Sequence, residues 1–187
     1  MTGPAAPQTS PEQDLIALAR QGDWLAFGEL VQRHRDGVMN VVFRMCGDPD
    51  LAEETAQEAF IRVWQNLSRY KPGYPFRNWV YKIAVNLAYD ALRRRKLELD
   101  IEEIPLRSSL EEPEKALEAR ERAELVRKSL LALPPDSRAA LVLREYEGLT
   151  YQEIAATLGI PLGTVMSRLN YARDRLRQSL AATLEAL

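Results

Sequence analysis

Cysteine and histidine are almost missing from this sequence, which has one of each among 187 residues. Because Cys46 is alone, no disulfide can form within the chain, and a cysteine-rich metal site is excluded. We expect His34 to be a surface or boundary residue rather than a catalytic one. A glycine-rich phosphate loop is also missing, since the GIPLG segment resembles none of them. We therefore expect no metal and no cofactor. An enzyme that acts on nucleic acid remains an alternative, but its active site would have to be formed by carboxylates that are scattered along the chain.

The sequence also lacks long apolar runs. None approaches the roughly 20 residues that a helix needs to cross a bilayer, so we predict no direct membrane insertion. The first residues do not show the basic and then apolar pattern of a secretory signal peptide. The cytoplasm is therefore the expected location.

The overall charge surplus is small, with a net charge of −2, but the charges are segregated. Residues 97–124 hold ten acidic and four basic residues, so the rest of the chain is positive. Local cationic patches favour DNA binding, because they release counterions from phosphates. Within the acidic stretch, residues 97–112 have little regularity, and we predict an acidic linker there. Residues 1–11 are small, polar and rich in proline, which predicts a disordered tail.

Apolar residues recur at helical spacing over most of the chain, which predicts an all-α fold. The linker divides it into two small helical domains, residues 12–96 and 113–187. In the first domain, Asp23 could cap a helix that has Trp24 on its apolar face and ends near Gly47. In the second domain, Asp136 or Ser137 is predicted to start a helix that has Tyr146 on its apolar face.

Two further helices are predicted in the first domain. The helix over 51–67 is strongly amphipathic, with Trp64 on its apolar face, and a second helix covers 79–96. Asn86 interrupts the apolar surroundings of the second helix, and an amide at that place can pair with a base edge.

The segment between these helices, residues 68–78, combines aromatic and basic side chains. This mixture suits single-stranded nucleic acid, because aromatic rings stack on bases, typically for ~1–3 kcal/mol per base, and cations hold the phosphates. The alternative is that Tyr70, Tyr74 and Phe76 only fill the core. The second helix ends in four consecutive cations, residues 93–96. Such a run is usually solvated, but beside this loop it favours phosphate binding.

The stretch from Leu149 to Gln178 predicts a helix-turn-helix in the second domain. Thr150 and Glu153 have the spacing of a capping box, and Gly159 sits where the first short helix ends. Thr164 is predicted to cap the second helix, which would lie in the major groove of DNA. The alternative is an ordinary helical hairpin in an all-α protein.

The second helix of this motif is predicted to have two different faces. Its apolar inner face would consist of Val165, Leu169, Ala172 and Leu176. Its outer face offers the hydrogen-bonding and cationic groups that recognition of DNA requires. The residues of that outer face are Ser167, Arg168, Asn170, Tyr171, Arg173 and Arg175.

Three motifs together resemble those of bacterial sigma factors of the extracytoplasmic-function (ECF) class. They are DLAEETAQEAFIRVWQNL, FRNWVYKIAVNLAYDALRRRK and LPPDSRAALVLREYEGLTYQEIAATLGIPLGTVMSRLNYARDRLR. They occur in this order, with the acidic linker between the second and the third, and the resemblance covers about residues 12–180. It implies a subunit that is not an enzyme. Such a subunit binds core RNA polymerase, recognises the −10 and −35 promoter elements, and captures the melted non-template strand.

The resemblance also implies which residues carry each task. The residues that would face core polymerase are Glu54, Gln57, Glu58, Ile61 and Gln65. The −10 element would contact Tyr70, Lys71, Tyr74, Phe76, Arg77, Asn78, Trp79, Lys82, Asn86, Arg93 and Arg94. The duplex −35 element would contact Thr164, Met166, Ser167, Arg168, Asn170, Tyr171 and Arg173.

Met166 departs from a frequent pattern of the family, in which an arginine stands at this position and can read guanine. The −35 sequence of the family therefore does not transfer directly to this chain. The family further implies an anti-sigma factor as a partner, often one that holds the sigma factor at the inner membrane. The alternative function is a free-standing helix-turn-helix regulator that binds duplex DNA without melting it. Dependence of promoter binding on core polymerase distinguishes the two.

Overall fold

Helices make up the structure, and their bounds largely follow the predicted ones. The computed structural model describes residues 11–99 and 114–184. These ranges contain no strand, which confirms the all-α prediction, and none of their helices is long and apolar enough to cross a membrane. The helices are α1 (Glu12–Arg20), α2 (Trp24–Cys46), α3 (Pro49–Asn66), the short 3₁₀-helix η1 (Leu67–Arg69), α4 (Phe76–Leu99), α5 (Glu114–Leu131), α6 (Pro135–Glu145), α7 (Tyr151–Leu158) and α8 (Leu162–Leu184).

Helices α1 to α4 form a first unit around one apolar core. The long helix α2 contacts α1, α3 and α4, and α3 packs on α4. Full burial of a large apolar side chain stabilises the folded chain by about 1.5–3 kcal/mol relative to exposure. The apolar side chains wholly withdrawn from solvent are Val38, Val41, Val42, Met45, Ala59, Val63, Val80, Ala84 and Ala88.

The helices of this unit begin and end where the sequence supplies caps. Asp23 accepts hydrogen bonds from two backbone N–H groups in the first turn of α2, at 2.9 and 3.1 Å, as predicted. Gly47 ends α2 in the left-handed conformation, with φ at +74°. Asp48 caps α3, which starts at Pro49 because a proline suits the first helical position. Helix α3 therefore starts two residues before the predicted start.

Three aromatic residues lie further out than the helical periodicity indicates. Trp24 is the first residue of α2 and is 71% exposed. Tyr146 follows the last residue of α6 and is 40% exposed. Trp64, near the end of α3, is 37% exposed and packs on Phe27, with 4.8 Å between the ring centroids. All three stand at or near helix ends, where fewer neighbouring turns remain to cover a ring.

Helices α5 to α8 form a second unit. Helix α6 contacts α7 and α8, and α5 packs on α8. The wholly buried apolar side chains of this unit are Ala139, Ala140, Val142, Leu143, Leu149, Ile154, Val165, Leu169 and Ala172. Helix α6 starts at Pro135, one residue before the predicted start, for the same reason as α3.

The two units touch each other, with α2 against α5 and α6, and α4 against α7. Helix α4 continues to Leu99, three residues into the segment predicted as a linker. The rest of that segment and the predicted tail up to residue 10 lie outside the described residues. The exact domain boundaries therefore stay a prediction.

Candidate nucleic-acid interface

The loop before α4 is anchored by its own aromatic side chains. Tyr70 and Phe76 are buried, and their ring centroids lie 5.3 Å apart. Trp79 packs on both rings, at 5.4 and 5.8 Å between centroids. The Tyr70 hydroxyl donates to the backbone carbonyl of Tyr74, which fixes the turn of the loop. A ring enclosed in the core has no free face for a base, so burial favours a supporting role for Tyr70 and Phe76 rather than direct contact with DNA.

His34 and Cys46 have structural surroundings rather than those of a reactive site. His34 is half-buried, its Nε2 lies 2.6 Å from Oε1 of Glu12, and its ring packs on Phe76. Burial raises the pKa of the Cys46 thiol to about 11, so the nucleophilic thiolate is scarce at neutral pH. Among the described residues, no group of three His, Cys, Asp or Glu side chains could hold a metal ion.

A cleft of about 270 Å³ opens between α3 and α4, beside the anchored loop. Its walls bring Trp79, Lys82 and Asn86 together, as the resemblance implies. They also add Arg62, Asn66 and Arg69, which the predicted set for the −10 element does not include. Their spacing in the sequence could have indicated this. The three residues follow each other at intervals of four and three positions, which places them on the same side of α3 and η1.

Of the other cationic side chains near the loop and α4, one stabilises a helix start and the others are exposed to solvent. Arg95 donates to Asp48 at 3.1 Å and so braces the start of α3. The pKa of Asp48 is lowered, mainly by the hydrogen bond from the Leu51 N–H and also by Arg95. Arg93 pairs with Asp90 in the same helix, but it stays exposed, as does Arg94. Lys71 and Arg77 are exposed on the loop side.

A second and larger groove of about 830 Å³ runs along the exposed side of α3. Four of the residues predicted to face polymerase line it, namely Glu54, Gln57, Glu58 and Ile61. Gln65 is exposed on the same helix but does not line the groove. Arg93 and Arg94 form the opposite wall, which places these two cations next to the predicted polymerase surface. Ile61 is 51% exposed and offers an apolar contact within a charged surface.

The helix-turn-helix of the second unit has the predicted local geometry. Thr150 and Glu153 form the capping box: the Thr150 hydroxyl accepts from the Glu153 N–H at 3.2 Å, and Glu153 Oε2 accepts from the Thr150 N–H at 2.8 Å. The hydrogen bonds that the Thr150 N–H and hydroxyl donate to this carboxylate hold the pKa of Glu153 below its usual value, with a smaller contribution from Asn78. Gly159 ends α7 in the left-handed conformation, with φ at +68°.

Helix α8 begins at Leu162, three residues before the start that a cap at Thr164 would give. Its first backbone bonds run from the N–H groups of Thr164 and Val165 to the carbonyl of Pro161, at 2.9 and 3.2 Å. Thr164 therefore lies within the first turn, and the prediction that it caps the helix is wrong. The fixed φ of Pro161 suits the residue before a helix, so the start moves back to Leu162.

The outer face of α8 is open, as predicted. Met166 is 48% exposed and Tyr171 is 45% exposed, and Ser167 and Asn170 lie between them. The inner-face residues Val165, Leu169 and Ala172 are buried, and Leu176 is half-buried. Hydrogen-bonding, aromatic and apolar groups therefore share one surface that a DNA groove could accept.

Two arginines flank this face and are held in place by acidic partners. Arg168 pairs with Asp136, and Arg173 pairs with Glu145 at 2.7 Å. Arg173 also donates to the Tyr151 hydroxyl at 3.1 Å, and these bonds, Glu145 first, raise its pKa. Both guanidinium groups are thus positioned at the rim of the recognition face.

Comparison with known proteins decides what these two units are. Residues 30–98 match the sigma-70 region 2 family, and residues 123–176 match the sigma-70 region 4 family. The ECF RNA polymerase sigma-E factor of Escherichia coli (strain K12) is 34% identical over 176 residues, which cover 88% of this chain and 92% of that protein. The chain belongs to the ECF family of RNA polymerase sigma factors. It is a promoter-recognising sigma factor, and its two sigma domains imply binding to core RNA polymerase and promoter DNA.

Two further relatives agree with this assignment. ECF RNA polymerase sigma factor SigE of Mycolicibacterium smegmatis is 39% identical over 162 residues, and the match spans 83% of this sigma factor and 62% of the length of SigE. The structure of CnrH in complex with the cytosolic domain of CnrY is similar with a TM-score of 0.72 and 27% identity. That similarity covers 91% of this chain and 97% of CnrH, and so extends over both units.

Proposed function

We propose that this sigma factor divides promoter recognition between the two surfaces described above. The exposed loop and α4 residues, with the cleft between α3 and α4, capture the melted −10 strand, and the outer face of α8 reads the duplex −35 element. The groove along α3 binds core polymerase. The observation that carries the proposal is that the exposed members of each predicted set lie together on one unit, while the inner-face residues are buried.

Capture of the −10 strand depends on Trp79, Lys82 and Asn86 around the cleft. Flipping a base out of the duplex costs a few kcal/mol, and stacking on an aromatic ring together with phosphate contacts offsets that cost. Tyr74 is half-buried and Asn78 is wholly buried, and each hydrogen-bonds to a side chain of α7, so these two residues are not part of the exposed surface. Tyr70 and Phe76 act indirectly, because their packing fixes the loop that carries the cations.

Recognition of the −35 element rests on Met166, Ser167, Asn170 and Tyr171. Ser167 and Asn170 can hydrogen-bond to base edges, and Met166 and Tyr171 can contact thymine methyl groups. Thr164, Arg168 and Arg173 stand at the edge of this face and suit phosphates, which set the register of the protein on the duplex. Because Met166 stands where many relatives have a guanine-reading arginine, the preferred −35 sequence is expected to depend less on guanine at the base pair that this residue faces.

The chain supplies recognition, while phosphoryl transfer belongs to the polymerase. An anti-sigma factor is the expected regulator, by analogy with CnrH, whose structure contains the cytosolic domain of CnrY. The protein would then act in the cytoplasm and could be held at the inner membrane by that partner.

The experiment that tests this function is in vitro transcription with core RNA polymerase on a pool of promoter fragments from the source genome. Selective transcripts that depend on the added protein would support the proposal, and their upstream sequences would give both elements. Tight binding of the protein alone to duplex DNA, without any stimulation of transcription, would favour the free-standing regulator. Turnover of nucleic acid without polymerase would favour an enzyme.

A further inference from the structure

Apolar side chains lie exposed at one corner of the first unit, where α2 begins and α3 ends. Trp64 of α3 packs on Phe27 of α2, and both rings keep part of their surface in solvent. Trp24 precedes Phe27 by three positions, and Ile61 precedes Trp64 by three positions. Residues at this spacing share one side of a helix. The four side chains, which we call the apolar strip, therefore form one band across the two helices.

The described part of the chain leaves most of the apolar strip open to solvent. Trp24 is 71% exposed, and Ile61 is 51% exposed. Tryptophan has one of the largest apolar surfaces of any side chain. Soluble proteins seldom leave several large apolar groups exposed side by side unless another molecule binds there. The strip therefore has the character of a binding surface.

The charges beside the strip indicate the chemistry of its partner. Glu54 lies two turns before Ile61, and Glu53 lies three turns before Trp64, so both exposed carboxylates share the side of α3 that carries the strip. A partner with basic residues around an apolar centre complements such a surface. A symmetric contact between two copies of this chain would instead bring these carboxylates close to one another.

The two longer segments outside the described ranges are poor occupants of the strip. Residues 1–10 contain one large apolar residue, Met1. Residues 100–113 contain five acidic residues and one basic residue, so their net charge has the same sign as that of Glu53 and Glu54. The occupant that fits the strip therefore belongs to another molecule.

The strip continues the groove that the proposed function assigns to polymerase. Gln57 and Ile61 line that groove, and Ile61 also belongs to the strip. Trp64 follows Ile61 by less than one helical turn, about 5 Å along the axis. A partner that covers Ile61 therefore reaches Trp64 with its next contacts.

The size of stable protein interfaces favours an extension in this direction. Such interfaces involve roughly 20–30 residues on each side, which is several times the number of residues predicted to face polymerase. On the α4 side, the groove is bounded by Arg93 and Arg94, which the resemblance assigns to the −10 strand. The α2 side presents two tryptophans, a residue type that is enriched among the contacts that dominate binding energy.

We propose that the apolar strip is a second contact for core RNA polymerase, continuous with the groove along α3. Trp24 and Trp64 pack against apolar side chains of a polymerase segment whose flanking residues are basic. The inference rests on the proposed function, because it extends the surface that the proposed function assigns to polymerase.

Trp24 is the residue to change, because its side chain is exposed and outside the core. Trp24→Ala removes the ring, and Trp24→Phe keeps a smaller aromatic ring. Leu25→Ala is the matched control, because Leu25 is 65% exposed in the same turn but adjacent helical residues do not face the same side. Ile61→Ala tests the groove of the proposed function separately.

The first measurement is the dissociation constant of each full-length variant from immobilised core polymerase, by biolayer interferometry. We expect Trp24→Ala to raise it about tenfold or more, Trp24→Phe to raise it less, and Leu25→Ala to change it by less than about twofold. Circular dichroism spectra should match that of the wild type. If Ile61→Ala weakens binding and Trp24→Ala does not, the groove is supported and the strip is overturned. If only Trp24→Ala weakens binding, the strip is supported and the groove is contradicted.

The second measurement needs no substitution and so does not depend on the folding of a variant. Hydroxyl-radical oxidation of the wild type is followed by mass spectrometry, with and without core polymerase. We expect several-fold protection of Trp24 and none of Tyr171, which the proposed function assigns to DNA. An unprotected Trp24 would overturn the inference. A wild-type dimer in analytical ultracentrifugation that Trp24→Ala abolishes, with unchanged affinity for polymerase, would assign the strip to a second copy and also overturn it.

Discussion

Two asparagines of α4 show how much a single position depends on its surroundings. Asn86 is exposed in the cleft between α3 and α4, whereas Asn78, two turns earlier, is wholly buried beneath α7. The sequence predicted the same role for both. It could not separate them, because the group that covers Asn78 is Glu153, a residue of the other unit. A polar residue in an apolar stretch indicates that a partner exists but does not identify it.

Asn86→Ala should lower open-complex formation about five- to tenfold and leave the affinity for core polymerase unchanged. The substitution removes one hydrogen-bonding amide at the captured strand, and such a bond is typically worth about 1 kcal/mol. Permanganate reactivity of melted thymines measures the first quantity, and fluorescence titration with core polymerase measures the second. Asn40→Ala, an exposed asparagine on α2, is the matched control. Equal losses in both assays would contradict a role for Asn86 in strand capture.

At the scale of helices, the sequence predicts a helix boundary best where residues next to that boundary determine it. The caps at Asp23 and Thr150 and the helix ends at Gly47 and Gly159 depend on a few adjacent residues, and all four are confirmed. The prediction for Thr164 failed because a proline three residues earlier provides the helix start instead. Periodicity likewise predicted the buried face of α8 but overestimated burial for Trp24 and Tyr146, which stand at helix ends.

The capping box gives a prediction for the stability of the second unit. Thr150→Ala should lower the free energy of unfolding by about 1 kcal/mol, whereas Thr150→Ser, which keeps the hydroxyl, should change it little. Urea denaturation at pH 7 measures the difference. If the free energy of unfolding falls no more in the alanine variant than in the serine variant, the hydroxyl does not contribute to the stability of the fold.

The same box should respond to acid in a defined direction. The pKa of Glu153 is lowered from 4.5 in the folded chain, so its carboxylate stabilises the fold fully above that pH. The stabilisation is lost as the pH falls through the lower folded value. The difference in the free energy of unfolding between wild type and Thr150→Ala should therefore become partly smaller at acidic pH, as urea denaturation can measure.

The recognition helix gives the next prediction. Tyr171→Ala should weaken binding to the duplex −35 element about tenfold and leave −10 strand capture and the circular dichroism spectrum unchanged, because the ring is 45% exposed and outside the core. Tyr171→Phe keeps the ring and should retain most of the affinity. Fluorescence anisotropy with duplex DNA measures the change. Loss of helicity in the alanine variant would instead place Tyr171 in the core.

At the scale of the whole molecule, the sequence predicted two units and the polarity of the segment between them, but not their contact. Each bond across the interface joins residues far apart in the chain, such as Arg127 and Gly47, 80 positions away. No periodicity or cap links such positions, and the arginine alone looks like one more charge on an exposed helix. Only the three-dimensional arrangement shows that its guanidinium reaches the end of α2.

Arg127→Ala should therefore weaken the coupling between the units. The arginine donates to the Gly47 carbonyl and to Glu124, and its neighbour Lys128 approaches the same Glu124 at 3.8 Å from an exposed position. Lys128→Ala thus serves as the control, since Lys128 shares the local ion pair but has no described hydrogen bond to the first unit. In differential scanning calorimetry we expect one cooperative transition for the wild type and Lys128→Ala. For Arg127→Ala we expect a broadened or split transition, because a half-exposed, charge-assisted bond worth about 1 kcal/mol is lost between the units. Identical transitions for both variants would show that this bond does not couple them.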